Sequence, residues 1–252
     1  MKSLKNKVVI ITGGAGSIGK TTAKLFLEEG AKVLLVDLNE DALKKISDEL
    51  ASKDVKYTAA DVTNAEDVKR YVNDAIIYFG KIDVFFNNAG IEGVVKPTIE
   101  YPEEVFDKVI AVNVKGVFLG NKYVLPHMND GGSIILTSSV AGISGSPNVT
   151  AYIASKHAVV GMMRNLAIEV ASRKIRVNTI NPSPVDNRMM RSLESGYNPG
   201  DAEGMKKAFE NAIPLGRYAE PIEIAQLVRF LASDESKFIT GTTQVIDGGM
   251  NA

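Results

Sequence analysis

Tyr152 and Lys156 stand four residues apart in "AYIASKHAVVGMMRNLAIEV", and Ser139 precedes the tyrosine by thirteen, in a chain with two histidines and no cysteine. On a helix, positions i and i+4 share one face about 6 Å apart along the axis, so a phenol and an ammonium there can serve one site. A phenol of pKa about 10 accepts protons poorly in neutral water, and bringing it near 7 requires roughly 4 kcal/mol. One nearby cation typically supplies about 1 to 3 pH units of that change, while burial acts against it. Lys156 alone is barely enough, and a cationic oxidised nicotinamide in the same pocket would contribute the rest. These residue types therefore point to proton exchange with an alcohol or carbonyl oxygen, with the Ser139 hydroxyl steadying that oxygen.

A cofactor site is expected near the N-terminus. The stretch "TGGAGSIG", Thr12 to Gly19, follows the first apolar run and leads into a helical pattern. Glycines such as Gly13 and Gly19 let the backbone turn sharply and approach a pyrophosphate, and the helix start at Ser17 and Ile18 offers free N–H groups to its charge. Asp37 lies 18 residues after Gly19, near the offset of about 20 at which a carboxylate meets the adenosine ribose hydroxyls. It would repel a 2′-phosphate, and no Lys or Arg occurs at 12–19 or 37–39 to attract one. NAD is the expected cofactor.

The elements that must carry these groups show in the hydrophobic pattern. Short β-branched runs at 7–12, 32–37, 55–61, 82–88, 133–139, 175–182 and 242–247 alternate with helical segments at 17–30, 64–80 and 101–128 and with the segment holding Tyr152. Runs that are apolar on both faces imply strands covered on both sides, and the alternation implies a parallel sheet with right-handed crossovers. The expected fold class is α/β, a doubly wound seven-stranded sheet, with residues 1–252 forming one dinucleotide-binding and catalytic domain. Asn39 and Asn64 are candidate helix caps. From about Pro182 to Gly216 no period is clear, and the prolines and glycines there suggest a substrate-binding loop over about 183–216. Met189, Met190 and Met205 could line an apolar pocket in it or pack helically. His127 and His157 are expected to be surface or packing residues.

Composition narrows the partners. With 29 Lys+Arg against 30 Asp+Glu, and no basic cluster, nucleic acid is not expected. The absence of cysteine removes thiolate metal sites and cysteine nucleophiles and fits a cytoplasmic protein. No segment approaches the ~20 apolar residues of a membrane span, and no metal site is expected.

From end to end the chain resembles the short-chain dehydrogenase/reductase family. The matching elements are "TGGAGSIG", "DV" at 61–62, "NNAG" at 87–90, Asn113 in "VNV", Ser139, "YIASK" at 152–156, "NPSPVDN" at 181–187 and "IDGG" at 246–249. The resemblance implies a catalytic tetrad of Asn113, Ser139, Tyr152 and Lys156. It also implies adenine contacts at Asp61 and Val62, ribose contacts from Asn88 and Gly90, and hydrogen bonds from Lys156 to the nicotinamide ribose. Val185 and Asn187 would complete the cofactor site, and Asn113 would hold a helix irregularity and a proton-relaying water. Ser17 stands where the family usually has its middle glycine, and Pro182-Ser183 and Asn187 replace the usual Pro-Gly and threonine; Asn187 could replace that threonine against the carboxamide. The implied activity is hydride transfer between NAD and a secondary alcohol or ketone, in a homotetramer packed through the helices near 101–128 and 152–172. The rival readings are a 3-oxoacyl thioester reductase, discouraged by Asp37, and a non-catalytic dinucleotide sensor.

Overall fold

The computed structural model of the protein describes residues 2–252. Seven strands, Val8–Thr12 (β1), Lys32–Asp37 (β2), Val55–Ala59 (β3), Ile82–Asn87 (β4), Met128–Thr137 (β5), Arg176–Pro182 (β6) and Thr243–Ile246 (β7), form one parallel sheet in the order β3-β2-β1-β4-β5-β6-β7. Every residue of β1 and β6 is buried, as expected for strands roofed by helices on both faces. The chain starts at β1, winds outward to β3, then returns to β4 on the other side of β1. That reversal opens a crevice at the C-terminal ends of β1 and β4, where such sheets take ligands.

The helices are α1 (Ser17–Glu28), α2 (Glu40–Leu50), α3 (Ala65–Phe79), α4 (Glu103–Ile110), α5 (Val117–Val124), α6 (Thr150–Glu169), α7 (Arg188–Tyr197), α8 (Ala202–Asn211) and α9 (Pro221–Ala232). On one face Phe26, Leu43, Ile224 and Val228 pack against Leu35, Phe86 and Ile135; on the other Tyr71, Val117, Val159 and Met163 pack against Phe85, Ile134 and Leu136. The Asn39 side chain accepts from Ala42 N and that of Asn64 from Glu66 N and Asp67 N, capping α2 and α3 where the sequence placed them.

Three expectations are corrected. The run 101–128 is not one helix: α4 passes into a π-helical turn, Ala111–Gly116, then α5 and a short 3₁₀ turn containing Pro126. The widened turn lets the fully buried Asn113 amide serve the backbone of residue 91 in both directions, accepting from Ile91 N and donating to Ile91 O, each at 2.9 Å. The fifth strand ends at Thr137, so Ser139 lies beyond it and caps a 3₁₀ turn through Ala141 N. Residues 183–216 are not an irregular loop but mostly the two helices α7 and α8, capped by Asn187 and Asp201. Glycines and prolines hid their period, and Met190, Ile213 and Tyr218 form a small core beneath them. No helix among the described residues is long and apolar enough to cross a membrane.

Candidate active site

The glycine turn is shaped by close backbone contacts. Gly13 has φ +65°, and a Cβ built on it would lie 3.0 Å from Ala89 Cα; one built on Gly19 would lie 2.2 Å from Gly13 O. Thr12 ties the turn to β4, its hydroxyl accepting from Asn88 N at 2.9 Å and Ala89 N at 3.1 Å. Gly16 provides α1 with no side-chain cap, and Lys20 N donates to Gly16 O. The earlier amides of Ser17, Ile18 and Gly19 have no partner within the helix, as at any helix start, and form a cradle for an anion.

Asp37 stands at the rim, one carboxylate oxygen accepting from Ala15 N at 3.0 Å and the other from Leu38 N at 2.8 Å. Lys20, the first cation after the glycine turn, is held by Glu49 on α2. Neutral glycine turn, fixed carboxylate and engaged lysine fit an unphosphorylated dinucleotide. Asp61 and Val62 lie beside Asp37, through the bond from Ala60 N to Asp37 O, but they do not line the cleft. Asp61 accepts from Thr63 N and its hydroxyl, each at 2.8 Å, and Val62 packs on Gly116. Asn88 does line the cleft, and its side chain staples Thr12 O to the Thr137 hydroxyl.

One continuous cleft of about 690 Å³ runs from Asp37 past Gly13, Ser17 and Ile18 to Gly90, Ser139, Tyr152 and Lys156. The sheet edge supplies Ser139, and α6 supplies Tyr152 and Lys156 one turn apart. Lys156 is 3% exposed, and its Nζ lies 5.5 Å from the centre of the Tyr152 ring. Ser138 donates to Lys156 O at 2.9 Å, and Ser155 to Tyr152 O at 2.8 Å, fixing this part of α6. Asn113 lies behind the cleft rather than in it. A Cβ built on Gly90 would lie 3.3 Å from both Asn113 Oδ1 and Lys156 Nζ, so both groups border Gly90.

The electrostatics depart from expectation. Burial pushes the Tyr152 phenol up to about 12, with the neighbouring Ser139 hydroxyl acting against that and the Glu92 carboxylate adding to it. The Lys156 ammonium, beside the Tyr152 ring, donates to Thr137 O, 2.9 Å away. Burial also brings Lys156 down to about 8. In the free protein the phenol is therefore a proton donor, and its use as an acceptor requires further positive charge.

The remaining wall comes from Val185 and from α7. The Asn187 side-chain oxygen caps α7 by accepting from Met190 N at 3.1 Å, which leaves its amide N–H groups for a ligand. Met189 and Met190 line the cleft with Leu193, Tyr197 and Met250, whereas Met205 does not. The spacing 189, 190, 193, 197 is a helical stripe that could have revealed Leu193 and Tyr197 from sequence. Glu92 and Arg188, which form an ion pair beside Tyr152, are 96 residues apart and left no such signal. His127 and His157 are exposed and outside the cleft.

The chain resembles known proteins along nearly its whole length. The family profile described as enoyl-(acyl carrier protein) reductase matches residues 13–251. Levodione reductase of Leifsonia aquatica is 41% identical, over 98% of this chain and 95% of that one. The crystal structure of levodione reductase superposes with a TM-score of 0.95 at 39% identity, covering 98% of each chain. Cyclohexanol dehydrogenase of Acinetobacter sp. (strain SE19) is 38% identical, over 96% of this chain and 94% of that one. The 3-ketoacyl-(acyl-carrier-protein) reductase of Brucella melitensis, solved with NADH, has a TM-score of 0.91 at 32% identity, covering 99% of this chain and 100% of that one. With the motif order read from the sequence and the reversal of strand order at β1 and β4, these likenesses leave one conclusion: the chain belongs to the short-chain dehydrogenase/reductase family.

Proposed function

We propose that the protein is an NAD-dependent oxidoreductase that interconverts a secondary alcohol and its ketone. The observation that carries this reading is the opening of Ser139, Tyr152 and Lys156 onto the same cleft as the glycine turn and Asp37. A bound nicotinamide ring supplies the hydride acceptor in oxidation and the hydride donor in reduction. Gly13, Ser17, Ile18 and Gly19 would hold its pyrophosphate, Asp37 the adenosine ribose, Asn88 and Gly90 the inner part, and Val185 and Asn187 the carboxamide end. In oxidation Tyr152 as phenolate takes the proton from the substrate hydroxyl; in reduction the phenol returns it to the carbonyl oxygen. Ser139 holds that oxygen, Lys156 supplies positive charge beside the phenol, and Asn113 positions Lys156 from behind Gly90.

A 3-oxoacyl thioester reductase is the second reading, favoured by the Brucella relative; that relative was solved with NADH, so Asp37 does not separate the two readings and turnover of a 3-oxoacyl thioester does. The experiment is a panel of secondary alcohols with NAD and NADP, together with Asp37→Ser. The wild type is expected to prefer NAD, and the variant to lose about tenfold or more of that preference, the range of one hydrogen bond to a charged group. Preference of the wild type for NADP would overturn the cofactor assignment.

The reading extends to a cytoplasmic homotetramer. Phe118 on α5 and Ile168 on α6, 51% and 80% exposed, are apolar side chains that contacts between copies would cover.

A further inference from the structure

Of the residues lining the cleft, Asp37, Lys156 and Arg188 carry charge. Asp37 belongs to the ribose end, and Lys156 is buried and directed at Thr137 O. Arg188, in the first turn of α7, is the charged side chain on the wall where substrate must lie, and 74% of it is exposed. Behind it, outside the cleft, sits Glu92, whose side chain is only 8% exposed. Arg188 Nη1 donates to Glu92 Oε1 at 2.9 Å and Nη2 to Oε2 at 3.2 Å. This fork fixes the guanidinium plane and cancels its charge, while the donors not used on Glu92 remain free. The other arginine of this helix, Arg191, turns away to Asp186 and Glu194.

We propose that Arg188 is a charge-masked substrate contact: backed by buried Glu92, it donates hydrogen bonds to a second, uncharged oxygen of the substrate and excludes substrates that carry a carboxylate. The chemical class selected is a neutral ketone or alcohol bearing a further carbonyl, hydroxyl or amide group. A carboxylate at this wall gains only the weak residual field of a pair of zero net charge, too little to offset its desolvation, whereas a neutral oxygen needs only an N–H. This inference rests on the proposed alcohol and ketone activity and adds the substrate's charge to it.

The test uses the full chain with NADH and two ketones of equal size, 4-oxocyclohexanecarboxamide and 4-oxocyclohexanecarboxylate. Glu92→Gln keeps the shape and one acceptor but unmasks the cation. The carboxylate-to-amide ratio of kcat/KM should rise by about 10- to 100-fold, chiefly through KM, as expected for a gained charge-assisted hydrogen bond. Arg188→Met removes the cation and leaves Glu92 facing the ligand, so the same ratio should fall. A clasp with only a packing role would move both ketones together, and an unchanged ratio in both variants overturns the proposal. Binding of cyclohexanecarboxylate and cyclohexanecarboxamide to the NADH complex, followed by cofactor fluorescence, gives the same ratio without turnover. Binding ratios that shift as stated while neither ketone is reduced would uphold the masking and overturn the proposed activity. Turnover of the amide with unshifted ratios would do the reverse.

Discussion

Replacing Tyr152 by phenylalanine should lower kcat by about 10²- to 10⁴-fold, the usual share of a positioned general acid or base. The substitution removes one oxygen and leaves the ring, which packs beside Lys156 at the base of the cleft. Cofactor affinity should change far less, because the glycine turn and Asp37 stand at the other end of the same cleft. The phenol is needed in both directions: with a value of about 12 in the free protein it is a ready donor to a carbonyl oxygen, and it becomes an acceptor only when positive charge lowers that value. Near wild-type turnover in Tyr152→Phe, measured as NADH formation from a secondary alcohol, would falsify the assignment.

Lys156→Met should produce a less obvious result, a protein that is more stable and nearly inactive. Burial brings Lys156 from an ordinary 10.5 to about 8. A folded value below the unfolded one means that the neutral amine is the form favoured by folding. That contribution is present above the unfolded pKa and is lost as pH falls through the folded one, so at neutral pH the chain holds a buried ammonium at a cost. A gap of about 2.5 pH units corresponds to roughly 3 kcal/mol. Losing the bond to Thr137 O returns about 1 kcal/mol of it, leaving a gain on the order of 2 kcal/mol for the apolar variant. The gain should fade as pH rises from about 8 toward 10.5, because the wild-type amine is then neutral. Activity should move the other way. Without the cation the phenol loses about 1 to 3 pH units of acidification, or roughly 10- to 10³-fold in phenolate at neutral pH. Thermal unfolding across pH, paired with kcat, checks both halves, and a Lys156→Met protein less stable than wild type at neutral pH would contradict the electrostatics.

The sheet was legible because its strands are buried on both faces and read as continuous apolar runs bounded by turn residues. The two asparagine caps were legible for a local reason, since each amide answers N–H groups two or three residues on. What stayed hidden depends on contacts across the chain. The amphipathic pattern of 101–128 carries no trace of the π-helical turn where Asn113 meets residue 91; the irregularity at Asn113 was implied by the family resemblance alone. Helices α7 and α8 were masked by glycines and prolines that tertiary packing tolerates. The i, i+4 argument placed Tyr152 and Lys156 together correctly, but it could not tell that the ammonium would turn to Thr137 O or that Glu92 would add a negative charge. Glu92 and Arg188 were invisible for the same reason: an ion pair between residues distant in sequence has no periodicity.

Ionisation of Tyr152 with and without NAD is the most direct measurement of the central claim. The ultraviolet difference between wild type and Tyr152→Phe isolates this one phenol, which in the free protein should stay protonated through neutral and moderately alkaline pH. Saturating NAD should bring its ionisation down by about 1 to 3 pH units, toward the range where the enzyme works, and Lys156→Met should weaken that response. A phenol that already ionises near neutrality in the free protein, or a curve that NAD leaves in place, would contradict the account.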